Sequence, residues 1–201
     1  MNLVELSPEE TIAAIRSAPK VDGVSLARST GLHVTDIIRD IENRLTKPGK
    51  RRPYDELTAE EKKRMGAYVE GGWAWEEALR RAMLVTYYRG LERFISVGEI
   101  ELDDIFGTPD WFDTDDGCVE EFKATWRSSR RPIETDFWHW WVQIKAYCHM
   151  TDTRFARLRV FFVNGDYRDS GPQFKLWQAK FEKMELDKNW DMLRKHARGG
   201  R

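Results

Sequence analysis

Cysteine is almost missing from this chain. Cys118 and Cys148 are the only two in 201 residues, and they form no CxxC pair, which excludes a disulfide framework and the common zinc-finger spacings. No apolar run approaches the ~20 residues that a membrane-crossing helix requires. The opening Met1-Asn2-Leu3-Val4-Glu5 lacks a basic stretch followed by an apolar one, so no secretory signal is expected. Also missing are HExxH, a serine-centred GxSxG, GxGxxG and GxxxxGK[ST]. With them go zincin, α/β-hydrolase, dinucleotide and P-loop ATPase chemistry. His33, His139, His149 and His196 show no paired metal spacing. Nor is there an excess of one charge: 33 basic residues face 34 acidic ones, for a net charge of −1, so the whole molecule is no sponge for polyanions. These absences lead to the expectation of a soluble protein of a reducing cytoplasm, without membrane attachment.

What is present can build an interior. Hydrophobic residues make up 41% and aromatics 12%, with nine Trp, which fits one domain or one domain with a small extension. The charges are unevenly placed. Basic residues gather at 47–52, 127–131, 154–159 and 194–201, and acidic ones at 99–116. An acidic cluster flanked by basic segments suits a metal site beside a phosphate path, although charge runs are more often solvated faces.

Ser7-Pro8-Glu9-Glu10 predicts a helix start, with Ser as N-cap and Pro at the first helical position. That helix runs to about Ser17 on this pattern. Ile37, Ile38, Ile41 and Leu45 place a second helix over 34–45, followed by a basic Pro/Gly linker at 47–53. Thr58-Ala59-Glu60-Glu61 is a capping box that opens a long helix toward Phe94. Its Gly71-Gly72 pair costs about 1 kcal/mol per Gly relative to Ala, which suggests that something requires it there. From Ser96 the period shifts to strands, and Asp115-Asp116-Gly117 predicts a turn, so 100–126 reads as a β-meander. A helix over 134–150, strands over 154–163 and 174–181, and a closing helix over 185–196 complete an α/β chain. Trp138, Trp140 and Trp141 cannot share one helix face, so at least one belongs to the core.

The chemistry concentrates in Gly107-Thr108-Pro109-Asp110 and in Val119-Glu120-Glu121-Phe122-Lys123-Ala124-Thr125. Successive strand side chains point to opposite faces, so Glu121 and Lys123 share one face and Glu120 and Phe122 the other. A hairpin closed at 115–117 brings Asp110 beside Glu121. Two converging carboxylates suit Mg²⁺ or Mn²⁺, which prefer oxygen ligands, and the Phe122 backbone carbonyl can add another. A neighbouring lysine can orient or help deprotonate an attacking water and stabilise charge on a phosphate.

In this order the residues resemble the PD-(D/E)xK nuclease superfamily, with Asp110 after Pro109 as first acid and Glu121-Phe122-Lys123 as ExK. ExK alone is common in so charged a chain, and the ordered set of GTPD, DG turn and ExK is what makes the resemblance specific. The Gly-Thr-Pro-Asp lead-in is most like the RecB-like and phage lambda-type exonuclease branch. Gln143 and Tyr147, at i and i+4 on one helix face, match the QxxxY of that branch. Gly72-Trp73-Ala74-Trp75-Glu76 resembles its Gly-x-x-x-Glu helix, which makes Glu76 the third metal ligand and Glu70 the alternative. Val34-Thr35-Asp36-Ile37 is similar to a segment at the start of that fold.

The resemblance implies a restriction-endonuclease-like α/β core, a central mixed sheet flanked by helices, with an N-terminal helical leader. The division is 1–54 for leader and basic linker, and 55–201 for the nuclease domain. The implied activity is a DNA exonuclease of phage-type recombination or DNA-end processing. One or two Mg²⁺ (or Mn²⁺) ions would sit on Asp110, Glu121, the Phe122 carbonyl and Glu76, with Lys123 positioning the water. Gln143, Tyr147, Thr125, Ser128, Arg130 and Arg131 would support the site or hold DNA, with Trp126 on the same loop for stacking. A strand-annealing protein is the implied partner and a homo-oligomer the implied assembly. Relatives with an iron–sulfur cluster use four cysteines, so two imply no cluster. An endonuclease of junction-resolvase or restriction type on the same core is one alternative. Another is a non-catalytic regulator that reads DNA through a helix-turn-helix over 24–37.

Overall fold

A computed structural model of the protein describes residues 29–45, 56–87, 93–168 and 171–199. The helix expected at 7–17, the linker at 47–53 and the first part of the helix-turn-helix segment lie outside the described residues. Strand β1 (Leu32–His33) leads into helix α1 (Val34–Leu45), followed by α2 (Ala59–Tyr87). Next come β2 (Phe94–Ile95), β3 (Ile100–Leu102), β4 (Ile105–Gly107), β5 (Trp111–Asp113) and β6 (Cys118–Thr125). Helices α3 (Ile133–Asp136) and α4 (Trp138–Met150), strands β7 (Phe155–Phe162) and β8 (Gln173–Lys180), and helix α5 (Lys183–Ala197) close the chain.

Local signals explain several boundaries. The capping box starts α2: Thr58 N donates to Glu61 Oε2 at 2.9 Å and Glu61 N to Thr58 Oγ1 at 3.2 Å. Within the described residues that helix reaches Tyr87, and Phe94, toward which it was expected to run, belongs to β2. A Cβ at Gly71 would make ordinary contact with Trp126, and one at Gly72 would meet open space, so no steric need explains the pair. Val34, Ile37 and Ile38 are the buried face of α1, whereas Leu45, expected on that face, is 70% exposed. The aromatic helix is broken at Phe137 (φ −124°) into α3 and α4. Phe137 is buried and stacks on Trp140 at 4.3 Å.

The expected meander over 100–126 is two hairpins in two sheets. Strands β3 and β4 turn through Asp103 and Asp104, both at positive φ, and belong to a three-stranded sheet of order β1-β4-β3. Pro109 has no N–H to continue a ladder, and after it the chain crosses to a five-stranded sheet of order β2-β5-β6-β7-β8. There β6 runs antiparallel to β5 and parallel to β7, a mixed sheet. Gly117, at φ 59°, supplies the left-handed residue that the β5–β6 turn needs.

Both faces of the larger sheet are covered. On one, Val119, Ala156, Leu158, Val160 and Phe162 pack with α1, α4 and α5 through Ile37, Ile144 and Trp190. Residues 32–45, expected in the leader, therefore share the main core. On the other face the Trp75 ring of α2 lies 4.8 Å from Phe161. Among the described residues no helix is long and apolar enough to cross a membrane.

Candidate active site

The site begins where a ladder stops. Strand β5 pairs with β6 only from Trp111↔Glu120 to Asp113↔Cys118, so the next residue back, Asp110, comes opposite Glu121. Past Glu120, β6 continues to Thr125 with β7 on one side. Backbone N–H groups on its open side still need acceptors. Phe122 N donates to Asp110 Oδ2 at 2.8 Å, and Ala124 N donates to Glu76 Oε1 at 3.1 Å. Two carboxylates from separate elements thus stand in for the missing strand. Within a strand, the N–H and C=O of one residue leave on the same side, so the Phe122 carbonyl emerges on this edge between them.

Glu121 and Lys123 project from β6 toward α4. Glu121 is 1% exposed. Its Oε1 lies 2.6 Å from Lys123 Nζ and accepts from Gln143 Nε2 at 3.0 Å. The same Gln143 nitrogen donates to Tyr147 Oη at 2.9 Å, so the i, i+4 pair works as one support. Glu121 Oε2 is buried without a hydrogen-bond partner among the described residues. Burial and the Asp110 charge push the Glu121 carboxyl above its usual range. Burial opposes the Lys123 ammonium, but Glu121, Glu76 and Asp110 outweigh it and hold the amine protonated. A lysine so held has no lone pair to take a proton. In this setting hydrogen-bond donation is favoured over help in deprotonating water. Burial likewise raises Tyr147, which stays a phenol.

A cleft of about 330 Å³ is lined by Asp110, Glu121, Lys123, Gln143 and Tyr147, and also by His33, Thr35, Glu99 and Thr108, while Glu76 is not among its lining residues. His33, Thr35 and Glu99 were not expected as site residues. His33 is buried, with Nε2 3.0 Å from the Ser29 carbonyl oxygen and Nδ1 3.5 Å from Glu99. The only hint of this wall was the family-like Val34-Thr35-Asp36-Ile37. Gly107 also has a packing reason: a Cβ there would lie 2.7 Å from Met150 Sδ and 3.0 Å from Tyr147 Cε1. A side chain at 107 would require the Met150 thioether to shift and the Tyr147 ring to give slightly.

Glu70 is exposed on α2, and the acid of that helix that meets the β6 edge is Glu76. Thr125, Ser128, Arg130 and Arg131 lie outside the residues lining the cleft, at the end of β6. Thr125 Oγ1 accepts from Arg127 N at 3.2 Å, Ser128 Oγ from Arg130 N at 3.3 Å, and Arg131 pairs with Asp136 at 2.7 Å. Arg130 is exposed. The acidic run 99–116 is no single cluster. Asp113 and Asp116 are bound by Arg93 and Arg157, Asp103 accepts from Trp190 and pairs with Arg194, and of the run only Glu99 and Asp110 line the cleft with Glu121. Much of the flanking basic charge is likewise engaged within the fold. Arg157 and Arg159 neutralise the buried Glu120 at 2.7 and 2.8 Å.

Among the described residues, no group of three or more acids, imidazoles or thiols is placed to hold a metal ion. Mg²⁺ does not require such a group, since it keeps several waters and takes one or two protein carboxylates. Asp110, Glu121 and Glu76 against Lys123 leave a formal excess of two negative charges. An unpartnered carboxylate oxygen, an oxygen-only donor set and that excess all fit a hard divalent cation.

No protein-family model matches the sequence, and no curated protein matches it. Among solved structures, the chain is similar to a phage-related exonuclease from Haemophilus somnus 129PT. The TM-score is 0.50 at 16% identity, over 94% of this chain and 89% of that one. An alkaline exonuclease from Laribacter hongkongensis is similar over 85% of this chain and 89% of its own, at 12% identity and a TM-score of 0.49. Identities this low speak to the fold alone, and the first likeness carries that point. The chain shares the α/β fold of that solved structure, a mixed sheet flanked by helices.

Proposed function

We propose that the protein is a divalent-metal-dependent deoxyribonuclease whose site is the open edge of β6. The observation that carries this reading is that Asp110 and Glu76 hold successive N–H groups of that edge, beside the unpartnered Glu121 Oε2. Asp110, Glu121, the Phe122 carbonyl and Glu76 would hold Mg²⁺ or Mn²⁺, which supplies Lewis acidity and cancels the excess negative charge. Gln143 and Tyr147 fix the Glu121 rotamer. Lys123, kept protonated by its carboxylate neighbours, donates to a phosphate oxygen as negative charge builds there, and orients the attacking water. Exonuclease action, a place in phage-type recombination or end processing with a strand-annealing partner, a homo-oligomeric state and a cytoplasmic location follow from the family resemblance.

Lys123→Ala is expected to lower DNA cleavage by about 10²–10³-fold, the effect of losing one preorganised donor, while DNA affinity measured in EDTA stays near wild type. Undiminished cleavage by this variant defeats the enzyme reading. Closed circular and linear DNA then separate the two nuclease types, because cutting of closed circles removes the exonuclease label.

A further inference from the structure

Beyond the C-terminal ends of the parallel strands β6 and β7, two loops form one surface. Ser129 N donates to the Gly165 carbonyl at 2.8 Å, and Asn164 Nδ2 to the Trp126 carbonyl at 3.3 Å. Ligands of open α/β sheets favour this end of the strands. Trp126, the first residue past β6, packs edge-on with Tyr68 of α2, ring centroids 5.7 Å apart. Tyr167 donates its hydroxyl to the same Trp126 carbonyl. Both tyrosines are turned out, Tyr68 53% and Tyr167 62% exposed. Tyr167 also sits at φ 64°, a left-handed conformation uncommon for a bulky side chain. A large ring held in that conformation and left in water contributes little to the core.

The charge around these rings is mainly basic, with Arg131 engaged by Asp136. Segments 126–131 and 163–168 carry Arg127, Arg130, Arg131 and Arg168 against the single carboxylate Asp166. Arg130 and Arg168 are exposed. Arg64, also exposed, stands one helical turn before Tyr68 on the same face of α2. Two of the rings, Trp126 and Tyr68, continue the elements that carry the candidate site, while Tyr167 comes from the loop after β7. Trp126 is three residues past Lys123, about 10 Å along an extended strand, and Tyr68 is eight residues before Glu76, about 12 Å along a helix.

Exposed aromatic faces within an arginine-rich rim suit a polynucleotide whose bases are free to stack and whose phosphates meet guanidinium groups. A duplex keeps its base faces stacked inside. We propose that this surface is a stacking ledge that receives an unpaired DNA strand next to the cleft, with Tyr68 and Tyr167 as base platforms. The proposal deepens the nuclease reading and rests on it for the identity of the polymer.

The test is fluorescence anisotropy of a labelled oligo(dT) in EDTA, where metal-dependent cleavage is absent and binding alone is measured. Tyr68→Ala removes an exposed helix side chain. Tyr167→Asn removes the other ring while retaining a residue that tolerates positive φ. Each is expected to weaken oligo(dT) binding on the order of tenfold, with little change for an abasic strand of equal length or for blunt duplex. Unchanged oligo(dT) affinity in both variants overturns the ledge, as does an equal loss on the abasic strand. Should Tyr68→Ala fail to fold, Tyr167→Asn decides alone. A chain without cleavage activity would still give this answer, and normal cleavage alongside unaltered binding by both variants would remove the ledge only.

Discussion

Glu121 is the residue on which the site turns, with one carboxylate oxygen bonded twice and the other unpartnered in a buried position. Three acids share this edge with one ammonium, so the metal-free protein holds like charges close together. Asp110→Asn removes one of those charges, and its amide oxygen can still accept from Phe122 N. We expect the metal-free variant to melt higher than wild type by about 2–4 °C, the shift that ~1 kcal/mol gives a chain of this size. Mg²⁺ should raise the wild-type melting temperature by binding the folded state, raise that of the variant much less, and no longer support cleavage. Thermal melts with EDTA and with Mg²⁺ check this, and a lower metal-free melting point for the variant would refute the charge-crowding account. The approach of Asp110 to Glu121 was legible in the sequence because Asp-Gly fixes a tight turn and the turn fixes the register. Glu76 was legible only through family likeness, since nothing local states which helix turn meets which strand residue. His33 and Glu99 were not legible at all, being 66 positions apart and joined only by folding.

At the scale of elements, β5, β6 and β7 are clamped by charge on the face under α2. Arg93 and Arg157 bind Asp113, and Arg157 and Arg159 bind Glu120. Strand alternation puts Glu120 and Phe122 on the face opposite Glu121 and Lys123; α2 covers that face, and its charges are bound to one another. Burial pushes the Asp113 carboxyl up, yet the Arg93 and Arg157 guanidinium groups outweigh it and hold the group below its ordinary range. A depressed carboxyl stabilises the fold fully above the unfolded value near 3.9, and that contribution is lost as pH falls through the lower folded value. Asp113→Asn should therefore cost about 3 kcal/mol near pH 7, toward the low end for a broken buried pair because both arginines are partly solvated. The gap in melting temperature from wild type should narrow as pH drops below about 4. Melts across pH 2–7 decide it, and a gap independent of pH would remove the assignment to Asp113.

The whole molecule is knit across the boundary expected at 54/55. Strand β1 pairs with β4, and Val34, Ile37 and Ile38 belong to the main core. Three such side chains contribute about 5–9 kcal/mol on burial, comparable with the entire net stability of a domain. A chain starting at residue 55 is expected to lose cooperative unfolding, as followed by circular dichroism, and a truncated form melting as sharply as the full chain would show the segment to be dispensable. The sequence pattern found α1 at its true boundaries, but helical periodicity says which face is apolar and not what that face will meet. The interrupted ladder has one further consequence. Phe122 and Ala124 are two residues apart, a covalent stride of about 6.7 Å along β6, and each anchors one acid. Helix α2 is thereby keyed to β6 at a single notch, because the neighbouring N–H of Phe122 is already taken by Asp110.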